Sequence, residues 1–170
     1  MRFICSIFCL IMLISCKYEE KTILRRDFIY SFETDSFSAA YKFSKEKDTV
    51  FVKQLFPEYG MIDYFILNKD EKRVINNYLV VLNKAKFEKE YADYSTKDAM
   101  SYQFEFDKDK MIYVYNSEVD DVLLLNKFSE LLLRMIDRKE RSIYWNLDVD
   151  FGNLERFIEP EPFPIDDFPN

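Results

Sequence analysis

Phe28-Ile29-Tyr30-Ser31-Phe32, then Thr34-Asp35-Ser36, then Phe37-Ser38-Ala39-Ala40-Tyr41-Lys42-Phe43: this stretch decides the fold class. Phe28, Tyr30 and Phe32 alternate with smaller or polar residues, and Phe37, Ala39, Tyr41 and Phe43 do the same. A period of two is the strand period, because successive side chains point to opposite faces. Thr34-Asp35-Ser36 supplies turn chemistry between the two runs. The span from Asp27 to Ser44 therefore predicts two strands joined by a tight turn.

Working outward, Lys45 to Asp48 reads as a second turn, Thr49 to Phe56 as a third strand stopped by Pro57, and Met61 to Leu67 as a fourth. Asn68, with Glu71 three positions on, has the pattern of a capping box and predicts a helix start. Val74, Ile75, Tyr78, Leu79 and Leu82 give that helix its apolar stripe; Lys72, Arg73, Asn76 and Asn77 fall on its wet side. The helix is expected to end between Lys86 and Glu90, and the polar span from Tyr91 to Ala99 reads as a loop.

Ser101 to Asp107 and Met111 to Tyr115 predict a hairpin turned by Lys108-Asp109. Ser117 then reads as the cap of a second helix, with Asp120 and Asp121 in its first turn. Val122, Leu125, Leu132, Met135 and Ile136 form its buried face, and Ile143 to Phe151 alternate as a last strand. The fold class is α+β: a mainly antiparallel sheet of about six or seven strands with two helices packed on one face. Residues 27–158 make one domain, and residues 159–170, with Pro160, Pro162, Pro164 and Pro169, make an extended acidic tail. Phe65-Ile66-Leu67-Asn68 and Tyr113-Val114-Tyr115-Asn116 are alike, a match too short to establish a duplication.

Composition narrows the chemistry. The 170 residues suit one ordinary core, with 48% hydrophobic and 32% charged. There is no His, which removes the commonest general base and the commonest zinc ligand but leaves carboxylate chemistry open. With only Gly60 and Gly152 there is no Gly-rich phosphate loop, and positive-φ turns fall to Asn and Asp. Net charge is −7, unsuited to phosphate backbones, so no nucleic-acid partner is expected. The basic run Arg138 to Arg141 reads as a solvated helix end.

The N-terminus has a different character. Arg2 precedes an almost wholly apolar run from Phe3 to Ile14, too short to span a bilayer, which takes about 20 residues. It fits the core of a signal peptide. The run closes on Leu13-Ile14-Ser15-Cys16, a branched residue three before a cysteine and a small residue directly before it. This resembles the lipobox of bacterial lipoproteins. The resemblance implies that residues 1–15 are removed, that the Cys16 sulfur carries diacylglycerol, and that its freed amine takes a further acyl chain such as palmitate. An ordinary secretory signal or an uncleaved anchor is the alternative. Cys5 lacks an apolar core before it and Cys9 follows bulky Phe8, so neither replaces Cys16. Removing residues 1–15 leaves Cys16 as the one cysteine, so no disulfide framework is available. Residues 16–26 then form a polar tether. Lys17 directly after Cys16, where aspartate is similar to an inner-membrane retention signal, implies the outer membrane. Lys17 with Glu19-Glu20 is also similar to export signals of surface lipoproteins, or is simply tether.

Three acidic constellations stand out. Asp148, Asp150 and Asn153, with Glu159 eleven positions after Asp148, resemble a calcium loop with its Gly152 displaced; the alternative is a strand edge with its acids in water. Asp107 with Asp109 could hold a metal but reads more simply as a hairpin turn. Glu118, Asp120 and Asp121 could work as general acid and base, yet a helix first turn accounts for them. No cofactor is expected. The reading favours a membrane-anchored, non-enzymatic module that binds a protein partner, an envelope accessory or an immunity-type protein. The rivals are a carboxylate-based glycan hydrolase and a carrier of small apolar ligands.

Overall fold

In the computed structural model, residues 24–57, 61–95, 100–107, 110–145 and 148–158 are described. They form an α+β fold around one eight-stranded sheet. The strands are β1 (Phe28–Thr34), β2 (Phe37–Phe43), β3 (Thr49–Phe56), β4 (Ile62–Ile66), β5 (Glu90–Ala92), β6 (Ser101–Asp107), β7 (Lys110–Tyr115) and β8 (Ser142–Tyr144). The helices are α1 (Lys69–Lys84), α2 (Leu123–Ile136), entered through a 3-10 turn at Asp120–Val122, and the short α3 (Glu155–Ile158). The sheet runs in the order β5-β7-β6-β1-β2-β3-β4-β8.

The opening stretch pairs as its alternation predicts, antiparallel from Phe28↔Phe43 to Thr34↔Phe37. It becomes the centre of the sheet because β6 pairs with the free side of β1. Two expectations need correction. The sheet has eight strands and is mixed: Glu90–Ala92, read as the helix end and the start of a loop, pairs parallel with β7. Three residues with Glu and Ala among them leave no alternation to detect. The last strand is also shorter than expected, only Ser142–Tyr144 paired along β4. Val149 and Phe151 do face inward, but from irregular backbone.

One face of the sheet carries both long helices. Phe28, Tyr30, Tyr41, Phe43, Tyr102 and Phe104 are buried there against Ile75, Leu79 and Leu82 of α1 and Leu125, Phe128 and Leu132 of α2. Phe128 is the hub, stacked on Phe104 at 5.2 Å and on Tyr78 of α1 at 5.0 Å. Tyrosines sit inside this core rather than at its edge. Tyr30 is fully buried because its hydroxyl meets Ser129 Oγ at 2.6 Å, so the polar tip has a partner.

α1 begins as its sequence dictates. Asn68 Oδ1 accepts from the Glu71 amide and Glu71 Oε2 accepts from the Asn68 amide, closing the capping box. The helix ends at Lys84, earlier than expected. Lys72 is buried rather than wet, because its ammonium pairs with Asp48 at 2.8 Å in the β2–β3 turn. α2 lacks the expected Ser117 cap: no side chain caps it, and the Ser117 carbonyl instead accepts from Asn126 Nδ2. Asn116 takes φ 44°, an αL turn without glycine. Asn68 is extended at φ −80°, so the two look-alike tetrapeptides end in different geometries. Leu24 is buried in the core and the Arg25 amide donates to Asn76 Oδ1 at 2.8 Å. The chain is therefore held three positions ahead of the domain start at 27 read from sequence.

Candidate functional site

The other face of the sheet is covered by residues 148–158, which run across it as a strap. Phe151, Leu154 and Phe157 bury themselves against Ala40, Phe51, Leu55 and Ile62. Polar groups on β6 fix its path: Gln103 Nε2 donates to the Asn153 carbonyl at 2.9 Å, and the Asn153 amide donates to Glu105 Oε2 at 3.0 Å. At its far end Arg156 reaches Glu90 of β5 at 2.8 Å and lies 4.4 Å over the Tyr113 ring. Those contacts hold the Glu90 carboxyl below its ordinary range, the Arg156 hydrogen bond first and that of Tyr94 second.

Gly152 is required by its backbone conformation. Its φ of +67° is the region side chains avoid, and a Cβ there would collide with the Glu105 carboxylate. Between the strap and the sheet lies an open groove of about 1280 Å³. Ile29, Lys42, Lys53 and Glu105 line its floor, and Val149 to Glu155 its roof.

The groove takes in Asp150 and Asn153 of the calcium-like pattern, and each has a local role. Asp150 Oδ1 accepts from the Gly152 amide at 2.9 Å, and Asn153 Oδ1 accepts from the Glu155 amide at 3.0 Å. Asp148 is exposed. Glu159 and Cys16 lie outside the described residues, as do Asp109 and the side chain of Asp107. Among the described residues no three His, Cys, Asp or Glu side chains are placed to share a metal ion. Glu118, Asp120 and Asp121 are all exposed, around the 3-10 turn that leads into α2.

A second feature was not visible in the sequence pattern. The chain enters β1 at one end of the sheet, the proximal end, beside the Lys45–Asp48 turn and the β6–β7 hairpin. The opposite, distal end gathers exposed large apolar side chains: Phe56, Met61, Tyr94, Met100, Val119 and Trp145. Trp145, next to the end of edge strand β8, is 87% exposed. The turns and loops there also carry the acids Asp35, Asp93, Glu118, Asp120 and Asp121. Tyr94 stacks on Tyr115 at 5.3 Å and its hydroxyl donates to Glu90, which, after burial, helps push the phenol up to about 12.

On the strap-covered face near the same end, Glu33 is directly flanked by Ser38 and Ser101 on its neighbouring strands. Burial raises the Glu33 carboxyl above its ordinary range, and the nearby Ser101 hydroxyl partly offsets this. The Oγ atoms of Ser31 and Ser38 are buried without a protein hydrogen-bond partner among the described residues.

No known protein family matches the chain, and no curated protein or solved structure matches it either. Among the described residues, no helix is long and apolar enough to cross a membrane.

Proposed function

We propose that this chain is an exported lipoprotein, anchored through lipid on Cys16 to the outer membrane, whose folded body is a non-enzymatic protein-binding module. One observation carries the binding half of the reading: the polarity of the sheet. The tether of the anchored chain leads into the proximal end, while Phe56, Met61, Tyr94 and Trp145 stand exposed at the distal end. Large apolar groups in water are unfavourable unless something covers them, and aromatic side chains are the common anchors of protein interfaces. Here they point away from the surface to which Cys16 would be fixed. The acids around them favour a partner with basic residues beside its apolar contacts, which speeds encounter and selects against acidic surfaces.

The anchor half rests on Leu13 to Cys16 and the apolar run before it. Leu24 is already buried, so the tether from Cys16 is short; seven intervening residues reach at most about 29 Å when fully extended. A body held so close presents its far end most freely.

Site-specific photo-crosslinking in intact cells tests the orientation. A crosslinker at Trp145 or Tyr94 is expected to give one discrete protein adduct, and one at Lys45 on the proximal end none. Equal adducts from both ends, or none from the distal positions, would contradict the reading.

A further inference from the structure

One row of side chains crosses the strap-covered face of the sheet at its distal end. Register places Phe56 of β3 opposite Ser38 of β2, Ser38 opposite Glu33 of β1, Glu33 opposite Ser101 of β6, and Ser101 opposite Tyr115 of β7. Directly opposed residues share a face. The row therefore has an aromatic ring at each end, a serine inside each ring and a carboxylate at the centre. It crosses five strands, so its ends stand about 19 Å apart at about 4.8 Å per spacing. Phe56 is exposed, and Tyr115 is built outward by the exposed ring of Tyr94 stacked on it.

Glu33 is half-buried and makes no ion pair among the described residues. The bases on this face are answered elsewhere: Arg156 is held by Glu90, and Lys42 and Lys53 stand in the strap groove with Asp27, Glu105, Asp150 and Glu155. Ser38 and Ser101 flank Glu33 and are almost wholly buried, as is Ser31, two residues before it on the same face. The Oγ atoms of Ser31 and Ser38 have no protein partner among the described residues. A carboxylate drawn partly out of water without a counter-charge and a buried hydroxyl without a partner are both unfavourable, so folding alone does not account for either. A hydroxyl beside the carboxylate can turn to donate to it, which leaves a place for one cation on its solvent side. One carboxylate with its serines falls short of the roughly six to eight oxygens that a calcium ion takes, and a bare ion makes no use of the rings at either end.

We infer that this row receives a lysine or arginine side chain of the protein partner, its cation on Glu33, with apolar side chains to either side of it on Phe56 and on the Tyr94–Tyr115 stack. The inference rests on the reading of the distal end as the partner-binding surface and names the chemistry that the partner brings there. Charge complementarity and aromatic anchors then act on one segment of the partner. Glu33 is a binding residue that the fold itself does not need, so removing its charge separates binding from stability.

Isothermal titration of the full chain in zwitterionic lipid nanodiscs, with empty nanodiscs as the blank, tests this with a capped heptapeptide. The peptide has phenylalanine at both ends, lysine at the centre and proline between, because polyproline II sets every third residue on one face and spans about 19 Å over seven residues. It is expected to bind one per chain, and the arginine version likewise. Norleucine in place of the lysine, which removes the charge, should bind about tenfold or more weakly. Glu33→Gln should bring the lysine peptide down to the level of the norleucine peptide, with a melting temperature no lower than that of the unaltered protein. The inference is overturned if the lysine peptide does not exceed the blank, if the norleucine peptide binds as well, or if Glu33→Gln binds the lysine peptide unchanged. A discrete cellular adduct from Trp145 alongside any of those three results leaves the protein-binding reading standing and removes Glu33 from it.

Discussion

Tyr30 shows how much one polar atom contributes to this core. Its ring lies in the middle of the sheet and its hydroxyl has one protein partner, Ser129 of α2, at 2.6 Å. Burial pushes the phenol far above its ordinary range, the Ser129 hydrogen bond offsetting only part of this, so it stays a neutral hydrogen-bonding group. Tyr30→Phe leaves Ser129 Oγ buried and unsatisfied, with an expected loss of about 1–3 kcal/mol in denaturant unfolding. Glu33 works the other way. Its carboxyl is raised in the folded state, chiefly by burial, so folding favours the protonated form. Protonated in both states at low pH, it costs nothing there; the cost appears as pH rises through its folded range and persists above it. Glu33→Gln is expected to raise the melting temperature at neutral pH, with the gain shrinking as pH falls below the carboxylate range. A gain that is the same at every pH would assign the effect to something other than ionisation. Of these roles only the alternation of Tyr30 was legible in the chain. Its partner Ser129 lies 99 positions away, and nothing local marks it.

At the scale of elements, legibility follows the range of the interactions. α1 could be read from Asn68 and Glu71 because a capping box closes within four residues. The β1–β2 hairpin could be read because its partners flank one turn. The strap could not: Gln103 and Asn153 are 50 positions apart, and the Asp148 to Asn153 spacing suggested an ion loop instead. Gly152 was noticed as a displaced loop glycine, whereas in the fold it lets the backbone pass the Glu105 carboxylate. Gly152→Ala therefore combines a disfavoured φ with a steric collision. It is expected to destabilise the strap by about 1–3 kcal/mol and to speed proteolysis after residue 145 before the sheet opens. Limited proteolysis read by mass spectrometry checks this; cleavage at the same rate as in the unaltered protein would mean that Glu105 does not constrain the strap.

At the scale of the molecule, two surfaces are set apart by the sheet itself. The strap groove lies on one broad face, and the acidic, apolar-studded loops lie at the distal end. That end was hidden in the sequence because its residues come from five separate loops, and a surface patch has no period along the chain. The whole arrangement acquires a direction only from the anchor, which makes Cys16 the residue on which the account turns. The most direct measurement is labelling of growing cells with a radioactive or clickable fatty acid, comparing the unaltered chain with Cys16→Ser. The account predicts a labelled protein in the membrane fraction for the former and an unlabelled one for Cys16→Ser. Label that persists in Cys16→Ser, or an unaltered chain that takes up none, would contradict it.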